Sequence, residues 1–164
     1  MLKKNYIIKK NNLNLNKTSI FFNKDLIILY NNLGSILLNL KKYIKNIKIL
    51  NNELCIFLYD NNYLTFVLSF LKKHFKYQFK ELVDICTVDY YTNNITNRFE
   101  VNYLLLSIKY KTRVRIKLAC NEKTIITSAS NIYSSALWLE RENWDMFGIF
   151  FSYHIDLRSF LTDY

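Results

Sequence analysis

The sequence contains no proline and only two glycines, Gly34 and Gly148. Phosphate-binding loops and the nucleophile elbow of serine hydrolases need glycines at fixed spacings, so sites of both kinds are excluded. The abundant residues are Asn, Lys, Ile, Leu, Phe and Tyr, most of which have A/T-rich codons. This bias is typical of A/T-rich genomes, which include many organellar genomes as well as some nuclear and bacterial ones.

Cysteine is also scarce, and its three residues, Cys55, Cys86 and Cys120, lie far apart. Iron–sulfur clusters and structural zinc sites need several thiolates at characteristic spacings, and no C-x-x-C pair is present. Cys55 and Cys86 lie inside apolar runs and Cys120 ends one. We therefore predict three buried free thiols in a reducing compartment, and no metal, flavin or cluster bound by the chain.

Acidic residues are nearly absent from the first 50 positions, which hold ten Lys and a single acid, Asp25. The net charge of +10 therefore comes mostly from this third of the chain. We interpret residues 1–23 as a solvated, Lys- and Asn-rich extension that is peripheral to the fold. The alternative is a surface that contacts RNA or an acidic partner.

The same basic segment lacks the arginine that an imported mitochondrial precursor usually carries, which favours synthesis inside the organelle. The most apolar stretch, residues 20–40, is interrupted by Asn, Lys and Asp side chains. A spanning helix needs about 20 predominantly apolar residues. We therefore expect no transmembrane helix and a soluble chain.

Apolar residues recur at steps of three and four over residues 24–44, which predicts an amphipathic helix. A second helix is predicted to run to about His74, with Asp60 or a following Asn as its N-cap. A third helix is predicted over residues 131–144. The 164 residues, of which 51% are hydrophobic, are enough for one domain with a real core, and we place it at residues 24–164.

Strands account for most of what lies between these helices. Basic and apolar residues alternate after Lys111–Thr112, which is the period of a strand with one solvent-exposed face. Lys111–Thr112 itself is predicted to be a hairpin connection. The predicted strands are residues 54–59, 82–90, 98–110 and 112–120. Because the helices must cover the apolar face of these strands, we predict a two-layer α+β fold, a mixed β-sheet covered by helices in a single domain.

The richest segment chemically is residues 140–164, ERENWDMFGIFFSYHIDLRSFLTDY. Its first charges end a helix whose apolar side is predicted to be Leu137, Trp138 and Trp144. Some of these charges should be paired, since an unpaired buried charge costs several kcal/mol. Gly148 is predicted to close the helix or to adopt a positive φ.

An independent active site is not expected in this segment. Glu140 and Glu142 are two residues apart, so they point roughly 200° away from each other on a helix and cannot share one ligand face. His154 has no second His or Cys near it in sequence, which is a poor set of metal ligands.

The order of residues here resembles the signature of the 30 kDa subunit family of respiratory complex I. The resemblance is carried by Glu140, Arg141, Glu142, Asp145, Met146, Phe147, His154, Arg158 and the closing residues 161–164. Upstream, residues 84–90, 98–106 and 112–117 are similar to three strands of the family, so the resemblance covers about residues 25–164. It departs at Ile155, where the family commonly has Pro, and at Tyr164, after which the family continues into a tail. We interpret that end as a loss or a split of the tail.

The resemblance implies a non-catalytic structural subunit of the peripheral arm of mitochondrial complex I, which transfers electrons from NADH to ubiquinone. Such a subunit binds no cofactor, packs against the hydrogenase-like large subunit of the quinone module, and meets the membrane only through the complex. It implies a place on the matrix side of the inner membrane, and the composition favours a mitochondrial gene over the related chloroplast complex and membrane hydrogenases. The alternative is an organellar ribosomal or RNA-binding basic protein, but no RNA-recognition pattern is present.

Trp and Arg are favoured as anchors of protein interfaces, so we predict that residues 138–158 form the docking surface. The predicted interface residues are Trp138, Glu140, Arg141, Glu142, Trp144, Asp145, Phe147, Gly148, His154 and Arg158.

Overall fold

The computed structural model describes residues 40–50, 53–91 and 97–162. The elements in this part follow one another as β1 (Ile44–Leu50), β2 (Glu53–Leu58), a 3-10 turn (Asn61–Tyr63), α1 (Leu64–Lys73), β3 (Glu81–Asp89), β4 (Phe99–Ser107), β5 (Thr112–Cys120), β6 (Ile126–Thr127), α2 (Ala136–Phe147) and β7 (Phe151–Ser152). No helix in these residues is long and apolar enough to cross a bilayer.

Five strands form one mixed sheet in the order β1-β2-β5-β4-β3. All neighbours are antiparallel except β2 and β5, which run parallel. The chain therefore leaves β2, builds α1, β3 and β4, and returns to the middle of the sheet as β5. A separate short parallel ladder joins β6 to β7. The predicted α+β class, with a mixed sheet and helices, is confirmed.

The core lies on the sheet face to which β5 turns Val114, Ile116 and Leu118. The intervening basic residues point to the other face, as the alternation predicted. That face is not simply wet, because Arg115 donates to Glu53 over 2.7 Å and Lys117 donates to Glu100 over 2.6 Å.

Side chains of α2 complete the hydrogen bonding of the outer edge strand, β3. Asn143 Nδ2 donates to the carbonyl of Ile85 over 2.7 Å, and Asn143 Oδ1 accepts from Thr87 Oγ1 over 2.6 Å. Ser135 Oγ donates to the carbonyl of Leu82 over 3.0 Å. The bonds to Leu82 and Ile85 satisfy backbone carbonyls of this edge strand, and all three bonds fix α2 and its N-cap, Ser135, against the sheet.

The starts of both helices differ from the prediction. Asp60 makes no side-chain capping bond, and a 3-10 turn separates it from α1, so the predicted cap is wrong. The last helix begins at Ala136 rather than at residue 131, because the preceding turns are held by bonds such as Tyr133 N–H to Ala129 O (2.9 Å).

The hairpin between β4 and β5 is longer than predicted. Thr112 already pairs with Ser107, so the connection is residues 108–111 rather than Lys111–Thr112. Lys111 has a φ of 51°. A left-handed residue at the end of a longer loop supplies the turn for which the sequence lacks an Asn-Gly pair.

The predicted helix over residues 24–44 lies mostly outside the described residues, as do the extension at 1–23 and the last two residues. Its end is wrong, because Ile44 begins β1, a strand that was not predicted. The cysteine prediction is confirmed for Cys55 and Cys120 and wrong for Cys86, which is exposed. Cys86 lies on the outer face of an edge strand, where its Sγ donates to Asp84 Oδ2 over 2.8 Å.

Candidate docking surface

The helix α2 buries polar residues where apolar ones were predicted. Its buried positions are Ala136, Glu140 and Asn143, which are spaced by four and three residues and so share one face. Trp138 is 61% exposed, so the predicted apolar side is wrong on that point. This inner face is polar because its side chains hydrogen-bond the backbone of neighbouring segments. The Glu140 carboxylate accepts from Ala129 N–H, and the Asn143 amide donates to Ile85 O.

Glu140 ties α2 to the turn that precedes it. Its carboxylate accepts from Ser128 Oγ over 2.5 Å and from the backbone N–H of Ala129 over 2.7 Å. The side chain has no solvent contact, and burial raises the pKa of Glu140 to about 7, although both hydrogen bonds oppose that rise. Glu140 is thus held by a hydroxyl and a backbone N–H, whereas the expectation was that a charge in this segment would be paired with an opposite charge.

His154 is held below the same helix, with only 1% of its side chain exposed. Its Nδ1 accepts from the N–H of Asp156 over 3.1 Å, and its Nε2 faces the carbonyl of Leu137 at 3.1 Å. An N–H can only donate and a carbonyl can only accept, so these partners fix the neutral ring with its proton on Nε2. Glu140 Oε2 lies 3.9 Å from Nε2.

Gly148 turns the chain back after α2. It has a φ of 72°, and its N–H donates to Trp144 O over 2.9 Å, as expected of a left-handed C-cap. The predicted positive φ is confirmed. The returning chain then pairs with β6, since Ile126 N–H donates to Phe150 O over 3.0 Å.

Asp145 holds the segment that follows β7 against the outside of α2. Its carboxylate accepts from Ser159 Oγ (2.7 Å), from the N–H of Leu161 (2.9 Å) and from Thr162 Oγ1 (2.8 Å). These bonds, led by the one from Ser159, lower the pKa of Asp145 well below its usual value. Residues 159–162 belong to no helix or strand, and these hydrogen bonds to the carboxylate are what order them.

Arg141 joins the same segment to α2 by stacking. Its guanidinium lies 5.2 Å from the ring centroid of Trp138 and 5.0 Å from that of Phe160, and the two rings meet edge to face at 5.4 Å. Arg141 Nε also donates to the carbonyl of Arg158 over 2.9 Å. The Arg158 side chain is 77% exposed and pairs with Asp156 over 2.6 Å.

The ten predicted interface residues therefore divide by depth. The side chains of Glu140 and His154 are buried, and they hydrogen-bond the backbone of the segments before α2 and after β7. Those that are half-buried are Arg141, Trp144 and Asp145. Those that are exposed are Trp138, Glu142, Phe147, Gly148 and Arg158.

Further exposed apolar residues in this region were not among the predicted ones. They are Met146, Phe150, Tyr153, Ile155, Phe160 and Leu161. Together with Trp138 and Phe147 they make eight large apolar side chains that are each at least 37% exposed, and we name this set the docking surface. No pattern predicts this exposure, because apolar residues in a segment without helical or strand periodicity look the same whether they face in or out.

The described residues contain no group of three His, Cys, Asp or Glu side chains arranged to hold a metal ion. Glu140 and His154 are only a pair, and their polar atoms are directed at protein partners. What this arrangement can do is hold an apolar surface rigid, which is the chemistry of binding another protein.

Comparison with known proteins places the chain in a family. The sequence model described as respiratory-chain NADH dehydrogenase, 30 Kd subunit, matches residues 57–164. The chain is 45% identical over 130 residues to NADH-ubiquinone oxidoreductase subunit 9 of Prototheca wickerhamii, covering 79% of this chain and 66% of the relative. It is 48% identical over 105 residues to NADH dehydrogenase [ubiquinone] iron-sulfur protein 3 of Beta trigyna, covering 64% of this chain and 54% of that protein. The chain thus spans about half to two thirds of the length of these relatives.

Solved structures agree with this match. A trypsin-resistant fragment of Nqo5 superimposes with a TM-score of 0.63 at 26% identity, covering 81% of this chain and 99% of the fragment. A chain of an archaeal membrane-bound sulfane sulfur reductase superimposes with a TM-score of 0.67 at 19% identity, covering 82% of this chain and 78% of that chain, and shares the fold. The matched segment contains α2, Gly148 and the whole docking surface, and the chain belongs to the 30 kDa subunit family of respiratory-chain NADH dehydrogenase.

Proposed function

We propose that the chain is a non-catalytic structural subunit of the peripheral arm of mitochondrial complex I. It supports the quinone-reducing module, and so the transfer of electrons from NADH to ubiquinone, by binding the hydrogenase-like large subunit. It binds no cofactor of its own. The observation that carries the proposal is the docking surface, an exposed apolar area held in place by buried polar side chains within the segment that the family model matches.

Rigidity supports a role in binding. Loop residues that lie in solvent ordinarily keep their freedom, and ordering them on association costs free energy. Here that ordering has already taken place on folding, since Asp145 and Arg141 fix residues 158–161 against α2. Exposed apolar side chains on a fixed backbone are typical of the buried centre of an interface.

The location of the protein follows from the same proposal. Relatives with mitochondrial names include NADH dehydrogenase [ubiquinone] iron-sulfur protein 3 of Candida albicans, 41% identical over 125 residues, covering 76% of this chain. We place the chain in the mitochondrion, on the matrix side of the inner membrane. The A/T-rich residue usage supports a gene in the organelle's own genome.

Charge reversal at Arg158 tests the proposal. The variant Arg158→Glu places a second negative group beside Asp156 where the partner docks, so we expect about tenfold less complex with the large subunit. Trp138→Ser should act similarly by removing an aromatic anchor. The measurement is co-purification of the full chain with the large subunit, followed by quinone reductase activity of the assembled complex.

The matched control is Arg113→Glu. Arg113 is 69% exposed on the opposite sheet face, and its nearest carboxylate oxygen, on Glu53, is 3.9 Å away. This variant should assemble as the wild type does. Normal assembly and activity of both Arg158→Glu and Trp138→Ser, with unchanged thermal melting, would overturn the proposed docking function.

A further inference from the structure

Two of the most exposed apolar side chains in the described residues flank the buried His154. Tyr153 is 81% exposed and Ile155 is 75% exposed, while the imidazole between them points inward. The chain therefore presents an aromatic ring and a branched aliphatic side chain outward from one short turn after β7.

The backbone of this turn is held in an uncommon conformation. Tyr153 has a φ of 60°, in the left-handed region that bulky residues seldom adopt. Such a conformation persists only where the surroundings enforce it. Before it, Ser128 N–H donates to Ser152 O over 2.9 Å, and after it, Asp156 N–H donates to His154 Nδ1.

We propose that Tyr153 and Ile155 form a preformed apolar prong that inserts into an apolar pocket of the partner protein, with a hydrogen-bonding group at the pocket rim for the tyrosine hydroxyl. This rests on the proposed docking function and names the chemistry that the partner must offer. His154 is the positioning residue, because one ring nitrogen binds the backbone of α2 at Leu137 and the other binds the backbone of the turn at Asp156.

A protein pocket fits the prong better than a membrane or a nucleic acid does. Binding to anionic lipid or to phosphate needs cations without partners close by. The charged groups nearest in sequence are Asp156 and Arg158, which already form a two-point pair at 2.6 and 2.7 Å. Tyrosine on a rigid turn is a typical hot-spot residue, since it buries a large area and loses little conformational entropy.

The test measures binding of the purified full chain to the purified hydrogenase-like large subunit. Tyr153→Ser and Ile155→Ser should each weaken binding about tenfold or more. Tyr153→Phe keeps the apolar contact and loses only the hydroxyl bond, so it should weaken binding less than Tyr153→Ser does. The matched control, Phe75→Ser, removes a side chain that is 78% exposed in the turn after α1 and should bind as the wild type does.

A structural readout separates loss of the prong from loss of the fold. Nitrogen NMR of His154 should show the proton on Nε2 in the wild type and in both serine variants, because its two partners are backbone atoms. Glycine adopts a positive φ without strain, so the Tyr153→Gly variant should melt at or above the wild-type temperature. It should nevertheless bind the large subunit as weakly as Tyr153→Ser does, because the aromatic ring is lost.

The outcomes are distinct. Wild-type affinity in both serine variants, with weakened binding in Arg158→Glu and Trp138→Ser, would overturn the prong and leave the docking function standing. Wild-type affinity in all four variants would overturn both. Wild-type protein affinity in the serine variants together with lost binding to anionic vesicles or RNA would also overturn the prong, by assigning these residues to another class of partner.

Discussion

Glu140 keeps its carboxyl group out of water, and its pKa is raised from 4.5 to about 7 by burial. The folded state therefore holds the proton more tightly than the unfolded chain does. By linkage, the free energy of unfolding is highest below about pH 4.5 as far as this group is concerned. It falls as the pH rises toward 7, and the loss is complete above that value.

We expect Glu140→Gln to remove this pH dependence. A neutral amide can accept from Ala129 N–H and donate to Ser128 Oγ, so both bonds survive while the charge is lost. Relative to the wild type, the variant should gain on the order of 3 kcal/mol of unfolding free energy between pH 5 and pH 8. Chemical denaturation at pH 5, 6, 7 and 8 measures the difference.

The control for this prediction is Glu142→Gln on the exposed side of the same helix. It should follow the wild-type curve at every pH. If the Glu140→Gln curve also runs parallel to that of the wild type, the burial of this charge has no net energetic consequence.

The pKa of Asp145 is shifted in the opposite direction to that of Glu140, so its effect on stability depends on pH in the opposite sense. Its pKa is lowered by the bonds from Ser159, Leu161 and Thr162, so its contribution to stability is present above the ordinary aspartate value and is lost as the pH falls through the lowered one. We expect Asp145→Asn to release residues 159–162. Amide hydrogen exchange at Leu161 and Thr162 should quicken about tenfold or more, because the lost acceptor bonds were charge-assisted.

This prediction concerns a local effect. Exchange in β4 and β5 should stay as slow as in the wild type, and Glu142→Gln should leave the exchange of residues 159–162 unchanged. Unaltered protection of Leu161 in Asp145→Asn would mean that the stacking of Arg141 alone holds the segment.

At the scale of single residues, the sequence supported only inferences that need no knowledge of partners. Gly148 was predictable because a lone glycine after a helix has few other uses. The depth of Glu140 was not, because its partners Ser128 and Ala129 are 12 and 11 residues away and belong to no predicted element. The exposure of Trp138 could not be predicted for the same reason.

Among the elements, the turn after α2 provides a clean test of backbone strain. A Cβ atom on Gly148 would meet nothing within 4 Å, so Gly148→Ala adds no clash and costs only the left-handed conformation. We expect a loss of about 1–2 kcal/mol in unfolding free energy from urea denaturation. Gly148→Asn should lose less, because asparagine tolerates this region better.

Equal stability of the alanine variant and the wild type would show that the turn relaxes to a negative φ. The docking surface would then shift as well, since Phe150 and β7 follow directly. Binding to the large subunit distinguishes that case from simple tolerance, because a shifted surface should bind more weakly.

The elements that were predicted best are those with the shortest period. Strand β5 was predicted from alternation that depends only on neighbouring residues, as Val114 and Ile116 illustrate. β1 was missed because its Lys and Asn side chains break the apolar pattern at a sheet edge, where such residues are tolerated. The segment just before α2 is tied to a residue far away in the sequence by the bond from Ser135 Oγ to the carbonyl of Leu82, a contact that the sequence does not display.

At the scale of the whole molecule, the fold class was predictable and the functional surface was only partly so. Strands and helices in these proportions lead to a two-layer α+β domain by the need to bury one face of each. Which apolar residues remain in water depends on how the segment after β7 returns across α2, and Asp145 decides that through bonds spanning up to 17 residues. A pattern search cannot supply contacts of that range.

The position of β5 between β2 and β4 also has a consequence for the order of assembly. Strands β3 to β5 can form from one to the next through short connections, whereas β2 meets β5 only by closing a long loop, as the 62-residue separation of Glu53 and Arg115 shows. At ~5–20 residues per second, β2 leaves the ribosome roughly 3–12 s before β5 does. For that interval a strand rich in Leu and Ile has one unpaired edge, so we expect the partly synthesised chain to be more prone to wrong strand pairing than the finished one.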